Sequence, residues 1–210
     1  FKGLTTVAMV STSPEVVVVA PQLPVKTFQE FVAYAKANPG KLNFGSAGIG
    51  TTPHLAGELF KQRAGVDATH IPYRSIGQSY PDMMANKIQF AFSSMAVALP
   101  VASDNRVRAI ATTGLKRSAV YPDLPTVDEA GMKGFEVDLW LGIFAPAKTP
   151  PDVIAKLRRD IRASLPELKE RFEKSGGEVW DLPDDTVDAF VASEYDTWTK
   201  LIRDAGIKLD

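Results

Sequence analysis

The sequence predicts an α/β fold in which mostly parallel sheets are covered by helices. Three observations carry this. Val16 to Val19 is a continuous β-branched run, as a strand buried on both faces requires. Thr27 to Ala35 combines a capping box with a one-sided apolar stripe, which is a helix. Short apolar runs then alternate with helical patterns, the signature of βαβ units.

The elements follow in order. Thr27 and Glu30 open the first helix, and Phe28, Phe31, Val32 and Ala35 lie on one face of it. Pro39-Gly40 ends it. Leu42 to Gly45 reads as a strand, followed by a Gly-rich turn and a helix from about Pro53 to Ala64. Ala68 to Ile71 is a strand, Ser79 to Ala85 a helix, and Ile88 to Phe92 and Val107 to Thr112 are strands flanking a helical stretch over Ala96–Ser103. From Lys116 to Gly134 the prolines and glycines predict a loop with one short helical turn. Leu139 to Ala145 is a strand. Thr149 with Asp152, and Ser164 with Glu167, read as two further capping boxes. Val187, Phe190, Val191, Tyr195, Trp198, Leu201 and Ile202 form a long amphipathic stripe, with only the weak strand Glu178–Trp180 beside it. Such faces need a partner surface, so the C-terminal third reads as part of a domain whose remainder is missing or shared.

Composition narrows the function. The 210 residues are 45% hydrophobic and 23% charged, the mix of a chain that buries a core. Twenty-four basic residues against 25 acidic ones leave a formal charge of -1, which argues against nucleic acid as a partner. Without cysteine there is no disulfide, thiol nucleophile or Cys-ligated zinc. No apolar run reaches 18 residues, and no signal peptide is visible.

The richest stretch chemically is Phe44-Gly45-Ser46-Ala47-Gly48-Ile49-Gly50-Thr51-Thr52-Pro53-His54. A strand enters a three-glycine loop and a helix begins, with Thr51 or Thr52 as N-cap and Pro53 in the first turn. Backbone N–H groups freed by the glycines, the helix N-terminus and the hydroxyls of Ser46, Thr51 and Thr52 make an anion site in type, suited to carboxylate or phosphate. The same pattern also serves a tight turn, and it matches neither the Walker A loop nor the dinucleotide fingerprint. His54 would lie beside a bound anion or act as a packed or capping histidine. With His70 as the only other histidine and no ligand at metal spacing, neither a metal nor a cofactor is expected. Tyr73 and Arg74 follow a strand end, where open α/β sheets bind ligands, and offer a flat wall and a carboxylate fork. Ser93 and Ser94 lie at a similar edge as hydroxyl donors without an activating base. Trp140 faces a cleft or fills core. Asp128-Glu129 and Asp184-Asp185 read as helix-start acids. No acid–base pair or triad assembles, so an enzyme is not expected.

Four stretches carry a resemblance: Leu42 to Phe60; Val66-Asp67-Ala68-Thr69-His70-Ile71-Pro72-Tyr73-Arg74; Leu124-Pro125-Thr126-Val127-Asp128-Glu129-Ala130-Gly131; and Gly142-Ile143-Phe144-Ala145-Pro146-Ala147-Lys148-Thr149-Pro150. In this order they resemble the substrate-binding receptors of tripartite tricarboxylate transporters, the Bug receptors. The resemblance implies a type II periplasmic-binding-protein-like fold of two α/β lobes. One complete lobe would span 13–138, and 1–12 with 139–210 would supply crossover strands and helices of a second, incomplete lobe. It implies a periplasmic receptor, monomeric when full length, that binds a small organic carboxylate and delivers it to membrane transporter subunits. The ligand would be a di- or tricarboxylate or an aromatic acid. The family's helix-start loop matches Ser46 to Thr52. Ser46, Ala47, Gly48, Gly50, Thr51, Thr52 and His54 are therefore the expected ligand-binding residues, with Tyr73, Arg74 and Ser94 shaping the remaining wall. Family members usually carry roughly a further 100 residues before the position of Phe1, within two-domain length, so a fragment is expected. Many relatives have Asp-Asn at Ser93-Ser94, and Lys is common where Arg74 stands. The alternative is the ligand-sensing domain of a transcription regulator, which shares this general fold.

Overall fold

The computed structural model describes residues 3–208; residues 1, 2, 209 and 210 of the expected lobe division fall outside them. The architecture is a mixed sheet with helices around it, arranged along one long strand. That strand, β1 (Leu4–Val19), extends the expected Val16–Val19 strand by 12 residues toward the N-terminus. Its first part, Leu4–Pro14, pairs antiparallel with β6 (Asp138–Pro146) and, at Ser11 and Thr12, with β7 (Glu178–Val179). Its second part, Glu15–Val19, lies between β4 (Phe90–Ser94) and β5 (Arg108–Thr112), again antiparallel to both. Only β2 (Leu42–Ser46) runs parallel to its neighbours β3 (Ala68–Pro72) and β4.

The sheet is therefore mixed rather than mostly parallel, for a topological reason. Glu15 lies opposite Ser94, so β1 enters this half of the sheet at the edge where β4 ends. A strand arriving there must run against its neighbours. The order β3-β2-β4-β1-β5 places the all-buried valines at an interior position.

The helices α1 (Phe28–Ala37), α2 (Thr52–Ala64), α3 (Tyr80–Met84, continuing a 3₁₀ turn at Ile76–Ser79) and α4 (Met95–Ser103) connect these strands. The capping box of α1 forms in both directions: Glu30 N–H donates to Thr27 Oγ1 at 3.2 Å, and Thr27 N–H donates to Glu30 Oε2 at 3.2 Å. The apolar face of α1 meets α2 and the sheet in an aromatic stack. Phe31 lies 5.3 Å from Phe60 and 5.1 Å from Phe90, and Phe90 lies 5.4 Å from Phe44, centroid to centroid.

Two expected capping boxes do not form. α5 (Pro151–Lys174) is one helix with Pro150 as N-cap and no side-chain cap, because the expected Thr149–Asp152 pair stands one residue too early. Ser164 lies inside α5, where its hydroxyl donates to the Ile161 carbonyl at 2.7 Å, and Pro166 is absorbed without a break. α6 (Asp184–Asp204) starts with its two acids in the first turn, as expected. These two helices cover β1 and β6 through small clusters: Val7, Ala145 and Ile154 for α5, Met9, Val187 and Val191 for α6. Leu139, Leu141 and Ile143, at alternate positions of β6, remain exposed.

Candidate functional site

β2, β3 and β4 end at one edge of the sheet. The parallel β2–β3 ladder aligns Ser46 with Pro72, and Tyr73 N–H donates to the Ser46 carbonyl at 3.1 Å. Tyr73 and Arg74 therefore stand beside the Gly-rich loop, with Ser94 at the same edge on β4. Ala47 is half-buried against the main core. Gly48 and Gly50 adopt φ of +118° and +77°, values that glycine accepts without strain.

The loop's own donors are engaged internally. Gly48 N–H donates to Ser46 Oγ at 3.0 Å, and Gly50 N–H donates to His54 Nδ1 at 3.0 Å. Ser46 is fully buried, with Oγ 2.6 Å from His70 Nε2. Thr51 is the N-cap of α2, but its hydroxyl donates backward to the Gly48 carbonyl at 2.7 Å and makes no cap to the helix. Pro53 has no N–H. The first-turn amides of Thr52 and His54 thus have neither a helical carbonyl nor a side-chain cap, and they are the donors left at this helix end. The half-buried Thr52 side chain stands beside them.

The side chain of His54 is buried under the loop rather than facing outward. Its ring stacks on that of His70, with centroids 3.9 Å apart and planes at 22°. Phe44 lies 4.9 Å from His70 on the ring-centroid measure. Burial lowers both imidazoles below their ordinary 6.5. His70 falls to about 4, with His54 and Lys61 adding to the effect; for His54, Glu58 opposes it and Lys61 reinforces it.

At the wall, Tyr73 donates its hydroxyl to Asp82 Oδ2 at 2.8 Å, so it presents its ring rather than its donor. Burial and Asp82 push the Tyr73 phenol up to about 12. Arg74 is exposed, and no described residue forms an ion pair with it. Ser93 is buried and bonded to the Tyr80 hydroxyl at 2.7 Å, whereas Ser94 is half-buried at the start of α4. No group of three or more metal-ligating side chains occurs among the described residues.

Sequence reasoning missed three participants. His70 is close to the loop only because β3 pairs with β2. Asp82 reaches Tyr73 from α3. Glu15, directly opposite Ser94, is 1% exposed. The available signal for Glu15 was a lone carboxylate abutting four valines.

The model of the tripartite tricarboxylate transporter family receptor matches residues 1–207. The protein of the tcbD–tcbE intergenic region of Pseudomonas sp. strain P51 is 36% identical over 200 residues, 93% of this chain and 59% of that protein. Across the first curated relatives, the chain spans 59–64% of their length. Among solved structures, Rpa4515 of R. palustris with adipate superposes with a TM-score of 0.86 at 28% identity, covering 98% of this chain and 69% of that one. The periplasmic binding protein BugD gives 0.83 at 31% identity, with 98% and 70% covered. MatC from Rhodopseudomonas palustris with bound malate gives 0.81 at 26% identity, with 95% and 69% covered. With a fold and a family model that agree along its length, the chain belongs to the tripartite tricarboxylate transporter receptor family.

Proposed function

We propose that this chain is the ligand-capturing part of a periplasmic receptor that holds a small organic dicarboxylate for a tripartite transporter. One carboxylate is taken by the Thr52 and His54 amides and the Thr52 hydroxyl at the start of α2. The observation that carries this reading is the backward turn of the Thr51 hydroxyl, which leaves those amides uncapped next to the unpaired Arg74. A helix start favours negative charge, and a guanidinium supplies a bidentate partner for a carboxylate. The Tyr73 ring and Ser94 form the rest of the wall.

Adipate and malate in the two relatives' structures support the choice of dicarboxylates. Capture is by binding alone, with no bond made or broken. In this reading the lobe of residues 13–138 carries the loop, and residues 1–12 and 139–210 belong to a second lobe that closes on the ligand. The full receptor acts as a monomer and delivers its ligand to membrane transporter subunits.

Calorimetric titration of this chain with adipate and L-malate, and with inorganic phosphate as control, tests the proposal. Binding selective for a dicarboxylate is expected, weakened about tenfold in Arg74→Ala, equivalent to about 1.4 kcal/mol. The thermal midpoint should move little, because Arg74 is exposed. Unchanged affinity in Arg74→Ala, or phosphate bound as tightly as the dicarboxylates, would overturn the reading.

A further inference from the structure

The two histidines do more than fill space beneath the loop. His54 Nδ1 accepts the Gly50 amide, so in this conformation that nitrogen carries no proton. Ser46 Oγ holds the Gly48 amide and is itself held by His70 Nε2 at 2.6 Å. Both glycine amides are thus anchored, directly or through one hydroxyl, to the same pair of stacked rings. We propose that the His54–His70 stack is a proton-sensitive latch on the 48–51 loop, fastened only while both imidazoles are neutral. The His54 and His70 side chains are positioning groups: they set the loop that leads into α2 and do not touch the ligand, which meets only the backbone amide of His54.

Protonation of His54 at Nδ1 would point an N–H at the Gly50 N–H and break that bond. In the tautomer whose neutral Nε2 accepts from Ser46, protonation of His70 at that nitrogen would drive the Ser46 hydrogen onto the Gly48 carbonyl, 3.1 Å away and already accepting from Thr51. The surroundings resist both events. Phe44 lies against the pair, and rings 3.9 Å apart cannot both take a positive charge cheaply. The charged groups facing them are on α2. Glu58 Oε1 is 4.0 Å from His54 Nε2, but it is also bonded to Lys61 at 2.9 Å. Lys61 repels protons from both rings. β2 contributes only the uncharged Phe44 and Ser46. α6 also packs on α2, yet the charges acting on the rings are Glu58, Lys61 and the rings themselves. Both imidazoles are lowered, so the latch holds at neutral pH and opens as pH falls below the ordinary imidazole range toward about 4.

The inference depends on the receptor reading only for its consequence, loss of the ligand in acid; its first test needs no ligand. NMR of the ¹⁵N-labelled chain from pH 7.5 to 4 should show His54 as the Nε2–H tautomer at neutral pH. The Gly50 amide signal should move in the same steps as the His54 and His70 ring nitrogens. His54→Asn, which places an acceptor near the Nδ1 position but does not titrate, should remove the His54 step and keep the Gly50 amide at its neutral-pH position. A neutral His54 carrying its proton on Nδ1, or a Gly50 amide indifferent to the ring titrations, would overturn the latch. Those two outcomes are read on the unsubstituted chain and stand even if His54→Asn fails to fold. With succinate as the probe anion, and the titration of its own carboxyls corrected for, affinity should fall about twofold between pH 7.5 and 4, where His70 is half protonated, and less in His54→Asn. Absence of succinate binding at every pH would count against the receptor reading, while the NMR titration still decides the latch.

Discussion

Replacing Glu15 by Gln should stabilise this protein, and by an amount that depends on pH. Glu15 is the last residue of β1 before the valine run and is 1% exposed. Its Oε2 has no hydrogen-bond donor in the described chain. Burial, with the nearby Asp138 charge adding to it, pushes its carboxyl from 4.5 up to about 8. The fold therefore favours the protonated acid, whereas the unfolded chain releases that proton near 4.5. Stability from this group is intact below pH 4.5 and is lost progressively as pH rises toward 8. At about 1.4 kcal/mol per pH unit, the loss is about 3 kcal/mol at pH 7 and about 5 kcal/mol above pH 8, as an upper limit. Gln has nearly the shape of the protonated acid and does not titrate. Urea unfolding at pH 5, 7 and 8.5 should show the two proteins within about 1 kcal/mol at pH 5, with Glu15→Gln the more stable by at least about 2 kcal/mol at pH 8.5. Parallel stability curves over that range would refute the reasoning, because they would mean that Glu15 stays ionised in the fold.

Two further substitutions test the packing that supports the site. Thr27→Ala removes the side-chain half of the α1 capping box and should cost about 1 kcal/mol in denaturant unfolding, with an unchanged m-value; a neutral result would mean that Glu30 and solvent satisfy that helix end alone. Gly57→Ala sets helix propensity, worth about 1 kcal/mol in its favour, against a steric conflict. A methyl there would run into the buried Phe44 ring, which supports the histidine stack, so a net loss of about 2 kcal/mol is expected, and a gain in thermal midpoint would contradict it.

The legible parts of the fold were those where one local signal has one structural meaning. Val16 to Val19 admits only a buried strand, and Thr27 with Glu30 admits only a helix start. The rest of β1 was hidden because Leu4 to Ser13 mixes Thr, Ser and Met with apolar residues. Its strand character comes from the long β6 ladder, which is a distant partner. Strand direction was hidden for the same reason: alternation of strands and helices suggests parallel pairing, and only the return of β1 from the other part of the sheet reverses it. In α5 two local motifs competed with a stripe of 24 helical residues, and the stripe prevailed.

At the loop the sequence showed which groups could donate but not where they point. Ser46, Gly48, Gly50 and Thr51 all read as outward donors, yet each is engaged by a neighbour only two to four residues away or by His70 across the sheet. That internal engagement limits what the site can recognise. A loop presenting every amide and hydroxyl would fit phosphate, which has several oxygens to satisfy. One that presents two amides beside a planar guanidinium has too few donors for that and enough for one carboxylate. The buried carboxyl and the two imidazoles then place this loop within a narrow proton range. Glu15 weakens the fold as pH rises above 4.5, and the histidines weaken it as pH falls below 6.5. His70 alone spans 6.5 to about 4, and half-exposure reduces its share to about 1–2 kcal/mol. The stability maximum should therefore fall in mildly acidic solution, where the folded imidazoles are still neutral and the latch is still fastened. On the acid side stability begins to fall near 6.5, where the unfolded chain takes up protons, but the loop is released only toward about 4, where the folded imidazoles do, which separates a pH profile of unfolding from one of binding.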